Sequence, residues 1–223
     1  MENRGDRSNC LGWSRRSWQS IGCDAFHPPY ARKEGTGLTD VSAARPFPGV
    51  PTPIGYALWH LEEARDWTVR WTDGISVAAL DRRPQGHRHS VATLLYHIAV
   101  FEVDWVYTDI MGHDYDMERR IPGCPSHIAE VLPYPLLLED GSYTPVSGES
   151  LDTHLERLRI IREDLLAIFG KMTVDEFRAP VPGESGMVTP EWVLMHLARH
   201  ESEHRGQIWE ARVGAETELA ATA

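Results

Sequence analysis

Four stretches of the chain place apolar residues at three- and four-residue steps and contain no proline: 54–83, 85–121, 146–179 and 191–223. In the first, Ile54, Ala57, Leu58, Leu61, Ala64, Thr68 and Trp71 share one stripe. The second has Leu94, Ile98, Phe101 and Trp105, the third Leu151, Leu155, Leu158, Ile161 and Leu165, and the fourth Val193, Leu197, Ile208 and Ala211. Such spacing lines one face of an α-helix, which must bury that face against partners. The predicted fold is all-α, a four-helix bundle. Thr52-Pro53 and Thr189-Pro190 read as an N-cap Thr with Pro at the first helical position. Ser90 is placed to cap the second helix, and Ser147 or Ser150 the third. Gly74, Gly112, Gly170 and Gly214 fall where helices should stop.

Between these stretches the pattern breaks. Helices two and three are separated by roughly 35 residues, 113–147, too many for a simple helical hairpin. A crossover running the length of the bundle would make those two helices parallel. Within it, Pro135–Leu138 and Tyr143-Thr144 flank Glu139-Asp-Gly-Ser142 as a short hairpin. Thr173-Val-Asp-Glu176 matches a capping box and predicts one extra helical turn before the last helix. Residues 1–50 are rich in Arg, Ser, Gly and Pro and have no period, so they are expected to be disordered or loosely docked. The bundle is assigned to 51–215, with 216–223 as a tail.

Composition narrows the function. The 223 residues carry 22 Lys and Arg against 33 Asp and Glu, a net charge of −11. That balance argues against nucleic acid or an anionic membrane as partner, since both reward clustered cations. No run approaches the ~20 apolar residues of a membrane helix, and the first residues show no apolar stretch of a signal sequence. A cytoplasmic protein is expected. Cys10, Cys23 and Cys124 are too far apart for a disulfide framework or a zinc ribbon. The 11 histidines and 8 tryptophans are the unusual counts.

Three of those histidines fall on inward faces. His200 and His204 lie about 40° apart around the last helix, among Val193, Leu197, Ile208 and Ala211. His97 sits with Leu94, Phe101 and Trp105 on the second helix. Such histidines either hydrogen-bond to buried carboxylates or share a divalent cation, and two at one-turn spacing with a third inward favour the cation. His196 is rotated toward the edge of the apolar arc. His200-Glu-Ser-Glu-His204 also satisfies the H-E-x-x-H pattern of zinc proteases, with Glu201 as base. The extended form of that motif wants Gly and His where this chain has Gln207 and Glu210, so the protease reading is set aside.

The run Ser90-Val-Ala-Thr-Leu-Leu-Tyr-His97, followed far downstream by His200-Glu-Ser-Glu-His204-Arg-Gly-Gln-Ile208, resembles the DinB/YfiT-like family over roughly residues 53–213. The resemblance implies an up-down-down-up four-helix bundle, commonly a homodimer, holding one divalent metal through three histidines. These fall here at His97, His200 and His204. Members are labelled metal-dependent hydrolases. Related branches are thiol-dependent S-transferases and a mycothiol-dependent maleylpyruvate isomerase, so a low-molecular-weight thiol such as mycothiol or bacillithiol is an expected cosubstrate beside a small-molecule substrate. Zn, Ni and Fe all suit imidazole. The alternative is a metal-binding, stress-associated protein without turnover.

Three imidazoles leave metal positions open, as in catalytic rather than structural sites. Glu201, Glu203, Asp104 and Tyr96 are candidates for supporting or proton-transfer roles, and solvated charges or an interface aromatic are the simpler expectation. Glu201 and Glu203 lie about 100° from His200 and His204, and Asp104 about 10 Å along the axis from His97. No fixed base is therefore expected over the metal, which favours thiol-dependent transfer or isomerisation over hydrolysis. Metal binding is expected to weaken as pH falls through about 6.5. Gly206, costing ~1 kcal/mol against Ala inside a helix, suggests close helix contact. Trp59, on the polar face of the first helix, suggests cover by the N-terminal segment or a second subunit.

Overall fold

A computed structural model describes residues 43–183 and 186–222, so the expectation for 1–50 lies outside the described residues for all but its last eight positions. Phe47, within those eight, is buried, and its amide donates to the Gly55 carbonyl at 3.2 Å. The unit that begins at Arg45 is mostly helical. In chain order its elements are α1 (Thr52–Thr72), α2 (Val77–Asp81), α3 (Val91–Asp104), α4 (Ser126–Val131), α5 (Leu151–Phe169), α6 (Val174–Arg178) and α7 (Pro190–Ala220). The end of α3 continues as a π-helical turn, Trp105–Ile110. A two-stranded antiparallel ribbon, β1 (Val181–Gly183) and β2 (Gly186–Val188), precedes α7.

The four long helices occupy the four periodic stretches, and local chemistry sets most of their ends. The Ser90, Ser150 and Thr189 side chains accept from the amides of Thr93, Thr153 and Trp192, so Ser150 rather than Ser147 caps α5. Thr173 and Glu176 form the capping box reciprocally. Thr52 does not cap: Pro51 holds that position, and no side chain bonds to the first turn of α1. Gly74 and Gly112 end their helices with φ of 72° and 71°, a region where side chains are strained. The expected hairpin in the 113–147 connection is a single bridge between Leu137 and Tyr143.

Two glycines in α7 behave opposite to expectation. Gly214, predicted to end the helix, lies inside it, because a Cβ there would stand 2.9 Å from Pro84 Cβ. Its hydrogen lets the α2–α3 connection rest on α7, and the helix runs on to Ala220. Glu218, assigned to a tail, accepts from Arg82 Nε at 2.6 Å and from the Gln85 amide at 2.7 Å. Gly206 is the reverse. A Cβ there meets nothing within 4 Å, so no close helix contact explains it.

Contacts between helices follow a consistent order. Along α1 and α7 they advance together: Arg65 meets Glu201, and Trp71 meets Trp209. They also advance together along α3 and α5, where Tyr96 meets Arg157, Glu102 meets Arg162 and Tyr107 donates to Asp164. Along α3 and α7 the order reverses, with His97 against His204, Phe101 against His200 and Trp105 against Trp192. Leu58, Leu61, Leu94, Ile98, Leu158, Leu197 and Ile208 fill the core between them. No described helix is long and apolar enough to cross a membrane.

Gly206→Ala should raise the stability by about 0.5–1 kcal/mol, since the methyl group meets open space and helix propensity improves. Gly214→Ala should lower it, because the Pro84 ring must move. Urea midpoints of the two variants check both signs.

Candidate metal centre

Beneath the apolar core contacts lies a buried ion network to which each of the four long helices contributes. Arg65 of α1 donates from Nε to Glu201 Oε1 (2.7 Å), from Nη2 to Glu102 Oε1 (2.6 Å) and from Nη1 to the Leu158 carbonyl (2.9 Å). Arg162 of α5 donates from Nη1 to Glu62 Oε1 (2.6 Å) and the Leu61 carbonyl (3.0 Å), and from Nη2 to Glu201 Oε2 (2.9 Å) and to Glu102. All five charged side chains are buried. Burial pushes the Glu201 carboxyl up, but Arg65 and Arg162 outweigh it and hold it below the usual range. Burial wins at Glu62, whose carboxyl is raised despite Arg162.

The network orients α7. Glu201 is drawn toward α1 and α5, and the preceding residue, about 100° around the helix, faces α3. His200 Nε2 there lies 3.1 Å from His97 Nε2 and 2.9 Å from His204 Nε2. Ligand-capable atoms of the three histidines all lie within 4.8 Å of one another, and all three side chains are buried. Nitrogens bound at ~2.1 Å to one ion, at right angles, would stand about 3.0 Å apart. His204 Nδ1 lies 3.0 Å from Gln207 Oε1. With the amide oxygen so placed, the imidazole proton sits on Nδ1 and the Nε2 lone pair faces the cluster.

Aromatic rings take the place of further polar partners. The Tyr143 ring stacks on His97 with centroids 3.6 Å apart and an 11° tilt, and His89 stacks on the far face of the cleft wall against Tyr143 at 4.5 Å. Phe101 stacks on His200 at 3.6 Å. His97 Nδ1 is buried without a hydrogen-bond partner, and the Tyr143 ring packs flat over the imidazole while Phe101 tilts against it. A cleft of about 280 Å³ adjoins the cluster, lined by His87, Arg88, His89, Tyr143, Gln207 and Glu210 among others.

These surroundings keep the histidines neutral. Burial first, then the His204 and His89 imidazoles, lower His97 to about 3. Burial, with His204 and His97 next, lowers His200 to about 2. His204 is lowered too, by burial. Three buried, neutral imidazoles with ligand-capable nitrogens within 4.8 Å of one another suit one divalent cation, and the donor set is all imidazole.

The other candidates go elsewhere. His196 stays outside the cluster, stacked flat on Trp192 at 4.8 Å and against Trp105, with Nδ1 2.7 Å from Arg199. Glu203 is exposed beside Arg199, as expected of a solvated charge. Glu201 is not solvated. Both its oxygens are engaged by Arg65 and Arg162, which also removes it as the base of a protease. Asp104 accepts from Thr108 Oγ1 at 2.8 Å and from Tyr115. Tyr96 is buried and donates to the Tyr134 carbonyl at 2.7 Å. Trp59 is half-buried next to His60, and any cover from residues 1–42 lies outside the described residues. Tyr143, Gln207 and the arginines of the network are the residues that sequence reasoning missed.

The buried three-histidine cluster lies between the second and last of the four long helices. The DinB superfamily matches residues 60–208. The chain belongs to that superfamily. It is also similar to the uncharacterized protein YkkA of Bacillus subtilis (strain 168), at 29% identity over 122 residues. That match covers 54% of this chain and 63% of the relative.

His97→Ala, His200→Ala and His204→Ala should each cost more than about 100-fold in zinc affinity measured by chelator competition, and His196→Ala far less. Tyr143→Ala should cost about 10–100-fold, the range for groups that orient a ligand, with Tyr143→Phe close to wild type. Acid should act first on the fold. Above about 6.5 the imidazoles are neutral in both states. Below it the unfolded chain takes up protons that the buried His97 and His200 resist, so apo-protein stability falls as the pH drops. Metal binding to the folded protein should therefore persist below 6.5, where unperturbed imidazoles would release the ion. Urea unfolding of the apo-protein and zinc titration between pH 7 and 5 check the two limbs.

Proposed function

We propose that this protein is a metal-dependent enzyme acting on a small molecule, built as an up-down-down-up four-helix bundle. The contact order supports that topology. Contacts that advance together along α1 with α7 and along α3 with α5, and in reverse along α3 with α7, fit two parallel pairs packed against each other. The observation that carries the function is the convergence of three buried histidines beside a cleft: His200 Nε2 lies 3.1 Å from His97 Nε2 and 2.9 Å from His204 Nε2, and ligand-capable atoms of all three lie within 4.8 Å of one another.

His97, His200 and His204 would hold one divalent ion, Zn, Ni or Fe. When bound, the ion supplies Lewis acidity that lowers the pKa of a thiol or water reaching it from the cleft. The protein supplies the rest. Tyr143 and Phe101 clamp two imidazoles by stacking, Gln207 fixes the tautomer of the third, and the apolar surroundings keep all three unprotonated.

Among the described residues no carboxylate joins the cluster. Hydrolysis wants a base within about 2.6–3.2 Å of the attacking water. Glu201 is consumed by arginines, Glu203 faces solvent and Asp104 is held by Thr108 and Tyr115. A thiol acidified by the metal needs no such base. Thiol-dependent transfer or isomerisation is therefore the favoured chemistry.

Metal-loaded protein should consume an electrophile such as a maleamate or an epoxide only when a low-molecular-weight thiol is present, and lose that activity in His97→Ala. Robust thiol-independent ester or amide hydrolysis, abolished by the same substitution, would overturn the preference. Stoichiometric metal with turnover in neither assay would place the chain with non-catalytic metal-binding proteins.

A further inference from the structure

The cleft beside the histidine cluster is polar, and its lining carries one cation and one anion with no protein partner. Arg88 lies on the connection between α2 and α3, and Glu210 on α7, six residues beyond His204. Neither makes an ion pair or a side-chain hydrogen bond among the described residues. Elsewhere arginines are largely engaged: Arg65, Arg82, Arg157, Arg159, Arg162, Arg178 and Arg212 all hold carboxylates. Arg88 and Glu210 line one cleft yet are not within ion-pairing distance of each other, so a gap separates the two charges.

The remaining walls restrict what fills that gap. His87 and His89 flank Arg88, and His89 is held toward its neutral form first by burial, with its neighbours His204, Arg88 and Arg83 opposing a further positive charge. Arg88 also acts electrostatically on Tyr143, the ring that stacks on His97. Gln207, holding His204, forms part of the same floor. Leu94 is the one aliphatic side chain lining the cleft, so an apolar ligand finds little to bury against.

From this arrangement we infer that the cleft binds a small zwitterion of the amino-acid type. Its carboxylate is taken by Arg88 and its ammonium by Glu210, and its side chain points toward the histidine cluster. The inference deepens the reading of that cluster as a metal centre, which meets the cleft at Tyr143 and Gln207, and rests on it. A guanidinium and a carboxylate on different elements of one cleft recognise two opposite charges, which neither a simple anion nor a simple amine satisfies. About 280 Å³ accommodates a molecule of that size with room for its side chain.

Cobalt-loaded wild type, Arg88→Gln and Glu210→Gln protein should be titrated with L-cysteine, cysteamine, 3-mercaptopropionate and L-serine. The visible cobalt bands and the sulfur-to-cobalt absorption report thiol binding, and calorimetry reports all four. In wild type, L-cysteine should bind about tenfold more tightly than either the thiol lacking the carboxylate or the one lacking the ammonium. Arg88→Gln should abolish its advantage over cysteamine, and Glu210→Gln its advantage over 3-mercaptopropionate. Because cobalt chelation by the amine and sulfur of cysteine is common to all three proteins, only the changes between variants count. Sulfur-to-cobalt absorption with unchanged ligand preferences in both variants would overturn the zwitterion while leaving the thiol reading standing. Absence of that absorption, with L-serine and L-cysteine binding equally and both weakened by Arg88→Gln and Glu210→Gln, would overturn the thiol reading and keep the zwitterion. No binding of any of the four would overturn both.

Discussion

Two arginines and three glutamates, buried where α1, α3, α5 and α7 meet, constrain everything above them. Arg65 and Arg162 each span three helices, and Glu102 and Glu201 each accept from both arginines. Removing these charges from water is expensive, and the attraction between them offsets that cost only when donors and acceptors are matched. The matching here extends to backbone carbonyls of Leu61 and Leu158. Loss of one member would strand its partners in a site without solvent, a change that typically costs about 3–5 kcal/mol. The helices can therefore slide or rotate very little relative to one another at this level.

That rigidity is what places the histidines. A helix tethered at Glu201 has no freedom left in azimuth, so His200 and His204 must face α3, where His97 already waits one turn before Phe101. On α3 the arrangement is similar, because Glu102 is tied into the network and Phe101, its neighbour, stacks on His200. The ion network and the histidine cluster are adjacent layers with opposite chemistry. One neutralises charge with charge, and the other excludes protons by burial. The crossover between α3 and α5 then closes the second layer, laying the Tyr143 ring flat on His97.

Much of this was legible in the sequence, and for identifiable reasons. Periodicity and proline exclusion located the four long helices because each has a wide apolar face, and three of them start at side-chain caps, Ser90, Ser150 and Thr189. The histidine trio was visible because inward position on a helix follows from spacing alone. Arg65 and Arg162 stood on the same stripes, between Leu61 and Thr68 and between Ile161 and Leu165, yet arginine within an apolar stripe reads as an interruption rather than a core residue. Their burial depends on carboxylates from three other helices, which no local pattern encodes. Tyr143 and Pro84 reach their contacts through connections whose path is set by tertiary packing. The meaning of Gly214 was hidden with them, since its close neighbour lies far away in sequence. β1 and β2, at three residues each, are too short to leave a period.

The chemistry depends most directly on whether the three imidazoles are ligands of one ion. X-ray absorption at the zinc edge, on protein reconstituted with one equivalent of zinc, reads the donor atoms without reference to any substrate. Three imidazole nitrogens at about 2.0–2.1 Å, reduced to two in His97→Ala, are what the structure predicts. A shell dominated by oxygen, or one that His97→Ala leaves unchanged, would contradict it.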